Sequence, residues 1–518
     1  MIEKRKNKEY IYILLWGHFT GVMFIWSFLV CRIDCVTYDN SYQYYLNLHS
    51  WKEMLGLVLQ DYSPPLYSVL LKLFSVVFGC DLLSLRLLSS FLFSILFYFL
   101  FFPLRRLMGQ GCAVMAAFLF LTSSYNFYFG FTIRPSVLAY VLTTGLFIYA
   151  LLAFFGDGIK DYCFFTLLSL MCMYTHNVSL IAAFCTYLTL IVASIIVKRR
   201  AAIKFLISGI IVSVLYIPWL MVLLRQAGAA SDHFWVGKSS LINAFYIVFI
   251  GMTHNYPILV ISSFTRLAII ILPFICVLIV LFKYNKNNSS DIKDEFPNLQ
   301  KVILLTIVIA LTIMLFYLIT RSVVSIFADR YYYVLSGGGI IIVSGFVTLC
   351  KNNKFAVIII SGLVSITFIL NTISQISYNY ACKRDDMLAD LQLASEGDIS
   401  FIHFHENAFG LSAYYFPDAH HYVTDDTFTV LNNYDVFDVD RRSLHHADEI
   451  WDYTDRCFIF TSVDFDSIDI SIYDYCEYYF DNPESFNIEK IGDYQLSYDN
   501  EVGYGTNYVY VYQLSKLN

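Results

Sequence analysis

The residues able to do chemistry in this chain are few, and they sit in unusual company. Single arginines stand at Arg86, Arg134, Arg225, Arg321 and Arg330, each at or near the end of a long apolar run. A guanidinium is a planar fork of donors that matches phosphate oxygens. A permanent charge beside hydrocarbon is costly, and such charges mark functional sites in many membrane proteins. For any one arginine, snorkelling to an interface or binding a lipid headgroup is as good a reading. Their grouping at the ends of runs favours an anionic ligand. Three acids, Asp34, Asp39 and Asp61, compete for the role of proton acceptor in the first polar connection. Asp39 differs from the others in its setting, between Val36 and Tyr45, where several tyrosines offer pocket walls. His176 closes a short apolar run, a place where a lone histidine is more often a hydrogen-bonded interface residue than a ligand. Gly337-Gly338-Gly339 lies inside an apolar run, so close helix packing is preferred to a phosphate cradle.

The elements that must position these residues follow from composition. Of 518 residues, 58% are hydrophobic and 14% charged, against about 25% charged in soluble domains. The bilayer is therefore the expected solvent. A net charge of -7 conceals a division. Residues 1–380 are apolar with Lys/Arg clusters, and residues 381–518 are rich in Asp and Tyr with no long apolar run. The first part reads as a membrane module and the second as a soluble domain. Membrane lipids are expected partners, and nucleic acid is not.

Candidate spans are 11–31, 84–103, 112–130, 136–155, 162–176, 178–197, 203–224, 257–282, 302–320, 331–349 and 355–373, about eleven in all, each near the roughly 20 residues a span needs. The basic stretch Lys4–Lys8 precedes a first run too long for a cleaved signal peptide, with no small-residue cleavage site after it. Basic clusters recur at Arg105–Arg106, Lys198–Lys204, Lys283–Lys286 and Lys351–Lys354. All fall on the cytoplasmic side if the run after Pro64-Pro65 does not cross. Residues 62–79 are then a juxtamembrane helix in an outer loop spanning 32–83. The N-terminus is cytoplasmic and the soluble domain extracytoplasmic. A further outer segment, 225–257, holds an amphipathic stretch near Leu241–Met252.

The C-terminal part alternates strand and helix patterns, with strands expected at 398–405, 420–424, 456–462 and 507–514 and a helix at 408–416. An α/β domain is expected. His403, His405, Glu406, His420 and His421 lack strong metal-ligand spacing and read as surface polar residues. Most of the twelve cysteines lie in apolar runs as small hydrophobes. Cys457 and Cys476 are able to pair if the domain faces an oxidising compartment.

Four places resemble the membrane-embedded glycosyltransferases of the GT-C fold, nearest to the family 39 group of protein O-mannosyltransferase-like and lipid A aminoarabinose transferase-like enzymes. They are Tyr38-Asp39-Asn40-Ser41-Tyr42, Ser63-Pro64-Pro65-Leu66-Tyr67 followed by Arg86, Arg134-Pro135 with Tyr174-Thr175-His176 downstream, and Asp329-Arg330-Tyr331. Asn40 stands where the family commonly has a second acid, and Ser63 where a histidine often precedes the prolines. The resemblance implies a polytopic helical membrane protein with an extracytoplasmic C-terminal α/β domain. It further implies an inverting glycosyltransferase that uses a polyprenyl-phosphate-linked sugar as donor. The acceptor would be an extracytoplasmic glycan, lipid or protein.

The implied roles make chemical sense. A hydroxyl nucleophile must lose a proton as it attacks the anomeric carbon, so one carboxylate is needed, and Asp39 is the implied base. The leaving group is already an anion, so it needs cations rather than the second carboxyl that a glycoside hydrolase uses. Arg330, Arg134 and Arg86, with Tyr331, are the implied phosphate set. Tyr38, Tyr42, Tyr67 and His176 are the implied pocket. No Asp-x-Asp lies near Asp39, so no metal or cofactor is expected. A bacterial inner membrane suits this topology. The alternatives are a transporter or flippase of a lipid-linked saccharide, and a non-catalytic scaffold.

Overall fold

The computed structural model describes residues 2–31, 36–61, 63–121, 123, 126, 132–197, 199–230, 240–250, 271, 298–322, 329–349, 362, 366, 369–370, 373, 383–395, 398–404, 406–424, 433–461, 465, 471–496 and 508–517. The chain divides into two compact units. Unit 1 comprises Met1–Cys31 with Tyr62–Gln375, and unit 2 comprises Arg32–Asp61 with Ile376–Asn518.

Helix α1 (Ile2–Cys31) opens unit 1, and the next two helices, α2 (Tyr38–Leu48) and α3 (Trp51–Val58), belong to unit 2. Unit 1 resumes with α4 (Leu66–Phe78), which is 13 residues long. At 1.5 Å per residue that is about 20 Å, short of the ~30 Å hydrocarbon core. There follow α5 (Leu82–Met108), α6 (Gln110–Leu121), α7 (Pro135–Gly156), α8 (Ile159–Met173), α9 (Asn177–Val197) and α10 (Arg199–Ala230). A short α11 (Leu241–Phe245), α12 (Leu299–Ser322), a 3-10 helix (Asp329–Leu335) and α13 (Ser336–Leu349) complete it.

Among the described residues, five helices are long and apolar enough to cross a membrane: Leu82–Met108, Pro135–Gly156, Asn177–Val197, Arg200–Arg225 and Leu299–Arg321. Glu9–Ile25, Gln110–Leu121 and Tyr331–Phe346 are shorter apolar helices. The expected spans 257–282 and 355–373 lie almost wholly outside the described residues.

Helix α7 is the core of unit 1, enclosed along its whole length, whereas α10 exposes most of its apolar surface. Proline at the first position starts α7 without losing a hydrogen bond, and it holds Arg134 extended at φ -141°, ψ 145°. The neighbours of α7 are registered along it. Ser89 of α5 donates to the Thr132 carbonyl at 2.6 Å, Gly145 faces Phe99, and Arg106 pairs with Asp161 just beyond the far end. Helix α5 therefore runs parallel to α7. Side chains added at Gly337, Gly338 or Gly339 would overlap Thr144, Phe147 and Ile309, or the Val248 carbonyl respectively. The triplet is a close-packing surface, as the sequence suggests. Of the stretch near Leu241–Met252, residues 241–250 are described: Ile247 and Val248 are buried, whereas Leu241, Ile242 and Phe245 are exposed.

The far end of the bundle holds Arg106, Lys204 and Lys301. Besides Arg106–Asp161, Lys204 pairs with Asp157 at 2.8 Å, and Tyr162 donates to Asp157 at 3.1 Å. Lys301 and Asn298 donate to the Leu107 and Met108 carbonyls. The lysines and Arg106 thus meet at the opposite end of α7 from Arg134.

Unit 2 is built on a six-stranded sheet. After α14 (Arg384–Ser395) come β1 (Ser400–His403), α15 (Glu406–Tyr415), β2 (His420–Thr424), β3 (Arg441–Leu444) and β4 (Arg456–Thr461). Then follow α16 (Ile472–Glu477), β5 (Phe486–Gln495) and β6 (Tyr508–Lys516). The order is β3-β2-β1-β4-β6-β5, with β1 to β4 parallel and β5–β6 antiparallel at one edge. One face carries Phe401, His403, His421, Phe458 and Phe460 beneath α15. The other packs Ile402, Tyr422, Cys457, Ile459 and Leu514 against Ile450, Trp451, Cys476 and Phe480.

The expected helix and the strands near 400, 420, 456 and 510 form. Strands β3 and β5 and helices α14 and α16 were not foreseen, since charged residues break their alternation. Cys457 and Cys476 are free thiols in this second core. Burial pushes the Cys476 thiol up to about 12 and Cys457 higher still.

Candidate active site

Three of the four motifs identified in the sequence meet at the Arg134 end of unit 1. Pro64 is buried, and the Leu66 amide donates to the Tyr174 carbonyl at 3.0 Å, which ties the Pro-Pro element to the turn that carries His176. Tyr67 follows, 1% exposed. Arg86 is 2% exposed and Arg134 7%. Their segments are joined by the Ser89–Thr132 hydrogen bond, three residues after one arginine and two before the other. The His176 and Tyr331 rings meet edge to face at 5.1 Å. The Val178 amide donates to His176 Nδ1 at 3.2 Å, so a neutral His176 carries its proton on Nε2.

The 3-10 helix that holds Arg330 and Tyr331 is seated by residues that the sequence reading missed. Tyr333 stacks on Tyr140 of α7 at 4.7 Å and donates to Asn126 Oδ1 at 3.0 Å, while Asn126 Nδ2 donates to the Phe120 carbonyl at 2.7 Å. This anchor fixes the backbone of Arg330 near the start of α7. The side chain of Arg330 lies outside the described residues. A run of three tyrosines, Tyr331-Tyr332-Tyr333, was the only available signal, and two of them are fully buried.

The carboxylate belongs to unit 2. Thr37 caps α2: its Oγ1 accepts from the Asn40 amide at 3.4 Å and from Asn40 Nδ2 at 2.7 Å. Asn40 therefore closes the helix start from within. Asp39 sits half-buried in the first turn, where the helix dipole favours negative charge. Tyr38 and Tyr42 pack on Phe437 at 6.1 and 6.3 Å. Tyr45 donates to the Ala413 carbonyl of α15 at 2.7 Å, and Tyr415 accepts from the Val36 amide at 2.9 Å. Helix α2 is thus bound to α15, and the position of Asp39 within unit 2 is set by that contact. Asp39, Tyr38 and Tyr42 lie in one unit, and Arg86, Arg134, Tyr67, His176 and Tyr331 in the other.

The histidines of unit 2 require a correction. His403 and His421 are each 1% exposed and bonded to one another, not surface residues. His403 shares the strand phase of Phe401, and His421 that of Val423, which was the overlooked sign of an inward face. His420 is the exposed one and pairs with Asp440 at 2.9 Å. His405 lies outside the described residues, as does the side chain of Glu406.

No protein-family model and no curated protein matches the chain. Solved structures do. The chain is similar to ArnT from Cupriavidus metallidurans bound to undecaprenyl phosphate, with 11% identity and a TM-score of 0.55, over 97% of this chain and 98% of that one. It is equally similar to the apo state of the same protein, at 11% identity and a TM-score of 0.55, over 98% of each chain. At this identity the likeness is one of fold, and it extends through both units. The chain has a GT-C glycosyltransferase-like fold.

Proposed function

We propose that this protein is an inverting membrane glycosyltransferase that moves a sugar from a polyprenyl-phosphate-linked donor to an extracytoplasmic acceptor. The observation that carries the reading is the gathering of two almost fully buried arginines with the His176–Tyr331 pair at one end of an apolar bundle. The bundle has the fold of a protein that has been crystallised with undecaprenyl phosphate. Arginine stays charged when buried, so a site of this kind favours a permanent anion. A lipid phosphate supplies one from the bilayer itself.

In the reaction, an acceptor hydroxyl oxygen attacks the anomeric carbon from the face opposite the phosphate. The bond between that carbon and the phosphate oxygen breaks, and polyprenyl phosphate leaves with the electron pair. Asp39 takes the hydroxyl proton. Arg330, Arg134 and Arg86 stabilise charge that builds on the leaving phosphate, with Tyr331 beside them. Tyr38 and Tyr42 stand with the base in unit 2, and Tyr67 and His176 with the arginines in unit 1, as pocket residues of their own units. The acid and the cations then serve opposite ends of one displacement, and no metal is required. The setting is a bacterial inner membrane, with the N-terminus cytoplasmic and unit 2 outside.

The test uses the full-length protein in lipid nanodiscs with a radiolabelled polyprenyl-phosphate sugar and a panel of acceptors. Release of free polyprenyl phosphate, abolished by Asp39→Asn in a folded protein, is the expected result. In vesicles, movement of intact donor across the bilayer without release would identify a flippase instead. Neither release nor movement would leave a scaffold.

A further inference from the structure

The sheet face beneath α15 buries two histidines among phenylalanines. His403 of β1 and His421 of β2 are buried there beside Ser412 of α15. His421 Nε2 lies 3.1 Å from the Phe416 carbonyl oxygen, and His403 Nε2 lies 3.1 Å from His421 Nδ1. A carbonyl oxygen only accepts, so His421 carries its proton on Nε2 and, while neutral, accepts at Nδ1. His403 must then donate from Nε2 and is bare at Nδ1. Ser412 donates to the Phe409 carbonyl at 3.0 Å, and its oxygen lies 3.3 Å from His403 Nε2 and 3.4 Å from His421 Nδ1.

One arrangement of protons satisfies this set, and both rings are neutral in it. A proton added to His421 lands on Nδ1 and sets N–H against N–H. A proton added to His403 lands on its own Nδ1, which has no hydrogen-bond partner in the buried face. The rings are closed in by Phe401, stacked at 5.9 and 5.6 Å, and by Phe409, edge-on at 5.1 and 5.4 Å. The ionisable groups that act on His421 are Asp440 and His420, which pair with each other, and only His421 acts on His403. Strand β4 presents Phe458 and Phe460 to Phe401, and α15 presents Phe409 and Ser412, none of which is charged, while β3 places Arg441 in register beside His421 with its charge paired to Asp435 at 2.9 Å. Burial accordingly pulls His421 down to about 4 and His403 well below its usual value, the second helped by His421 beside it.

The state of α15 reaches α2 by direct contact. Phe409 meets Phe437 at 5.2 Å, and Phe437 meets Tyr38, Tyr42 and Tyr45 at 6.1, 6.3 and 5.3 Å. Gly410 lets the Tyr38 ring lie against α15, and a methyl group there would overlap that ring and Phe437.

We propose that the His403–His421–Ser412 hydrogen-bond set is a proton-sensitive seat for α15, and that α15 passes its state to the helix carrying Asp39. The two histidines are positioning residues, acting through Phe409, Gly410 and Phe437. Acidification breaks the seat and loosens α15 and α2 together. The meaning of this for catalysis rests on Asp39 as the base, whereas the motion itself does not.

The experiment is hydrogen exchange on the full-length protein in nanodiscs from pH 7.5 to 4, corrected for the intrinsic rate. Protection of residues 38–48 and 406–415 should fall in parallel as pH drops below 6.5, approaching about tenfold per pH unit for each histidine released. The doubly non-titrating variant H403Q/H421Q should lose that dependence. Gly410→Ala, which leaves the histidines intact, should expose 38–48 already at pH 7.5. Wild-type protection independent of pH would overturn the proposal, and so would an unchanged transition in the double variant. Loss at 406–415 with 38–48 still protected, or a silent G410A, would overturn the coupling. Transfer by Asp39→Asn is assayed separately. Normal turnover there would refute the base assignment and leave the exchange result standing.

Discussion

Each unit buries a pair of basic side chains, and the two pairs solve that problem in opposite ways. In unit 1, Arg86 and Arg134 are held near one end of a bundle whose other end holds Lys204 and Lys301. Guanidinium cannot give up its proton, so its burial calls for negative charge. In unit 2, His403 and His421 are buried just as deeply but shed their charge, and each satisfies the other through a single tautomer arrangement. A buried cation that cannot neutralise keeps its charge at every pH and so suits an anionic ligand. A buried base that can neutralise points inward to the fold and makes the fold answer to pH. The difference separates a binding site from a structural joint, although both look like polar residues in apolar surroundings.

That contrast can be broken by experiment. The largest effect is expected at the acid: Asp39→Asn should lower transfer about 10²- to 10⁴-fold with unaltered insertion and thermal stability. Near-normal turnover would remove the base from the scheme. Next come the cations. Arg134→Ala and Arg86→Ala should each reduce kcat/KM for the lipid donor by about 10²-fold, with lysine recovering part of the loss because it keeps charge without the fork. Donor kinetics on reconstituted protein decide this, and an effect confined to the acceptor KM would move the arginines out of the phosphate site.

The histidines should respond to pH instead of to donor. The unfolded chain takes up a proton at each near 6.5, while folded His421 resists to about 4. The unfolded state binds more protons between those values, so stability present at pH 7 is lost as pH falls. The interval for His421 corresponds to about 3 kcal/mol at most. Urea unfolding of the full chain, followed through unit 2 between pH 7 and 4, should show this slope, and H403Q/H421Q should flatten it. The smallest effect is at the helix cap: Thr37→Ala should cost about 1 kcal/mol through loss of the Asn40 bonds. A much larger loss would mean that Thr37 supports more than the start of α2.

How much of this was legible in the sequence depended on which forces act locally. Apolar length gave the bundle, and Arg134-Pro135 marked the start of α7 because proline fixes that position by its own geometry. The glycine triplet was legible as a packing surface for the same reason. The seat of Tyr333 on Tyr140 and Asn126 was not, because those residues are roughly 190 to 210 positions apart and no periodicity links them. His403 and His421 were misread because polar residues in a charged, tyrosine-rich stretch look solvated until the sheet pairs them. The grouping of residues 32–61 with the C-terminal sheet depends on Tyr38, Tyr42 and Tyr45 meeting Phe437, a contact across nearly 400 residues.

The ring of Pro135 bars the preceding residue from winding into the helix. Were Pro135 replaced by alanine, α7 would be free to grow backward by a residue. Arg134 would then leave its extended lead-in for the next helical station, about 100° round the axis. The guanidinium would be retained in composition and lost in aim. A substitution that looks silent on a charge map would in that way disarm the cationic end of the bundle, while keeping every arginine.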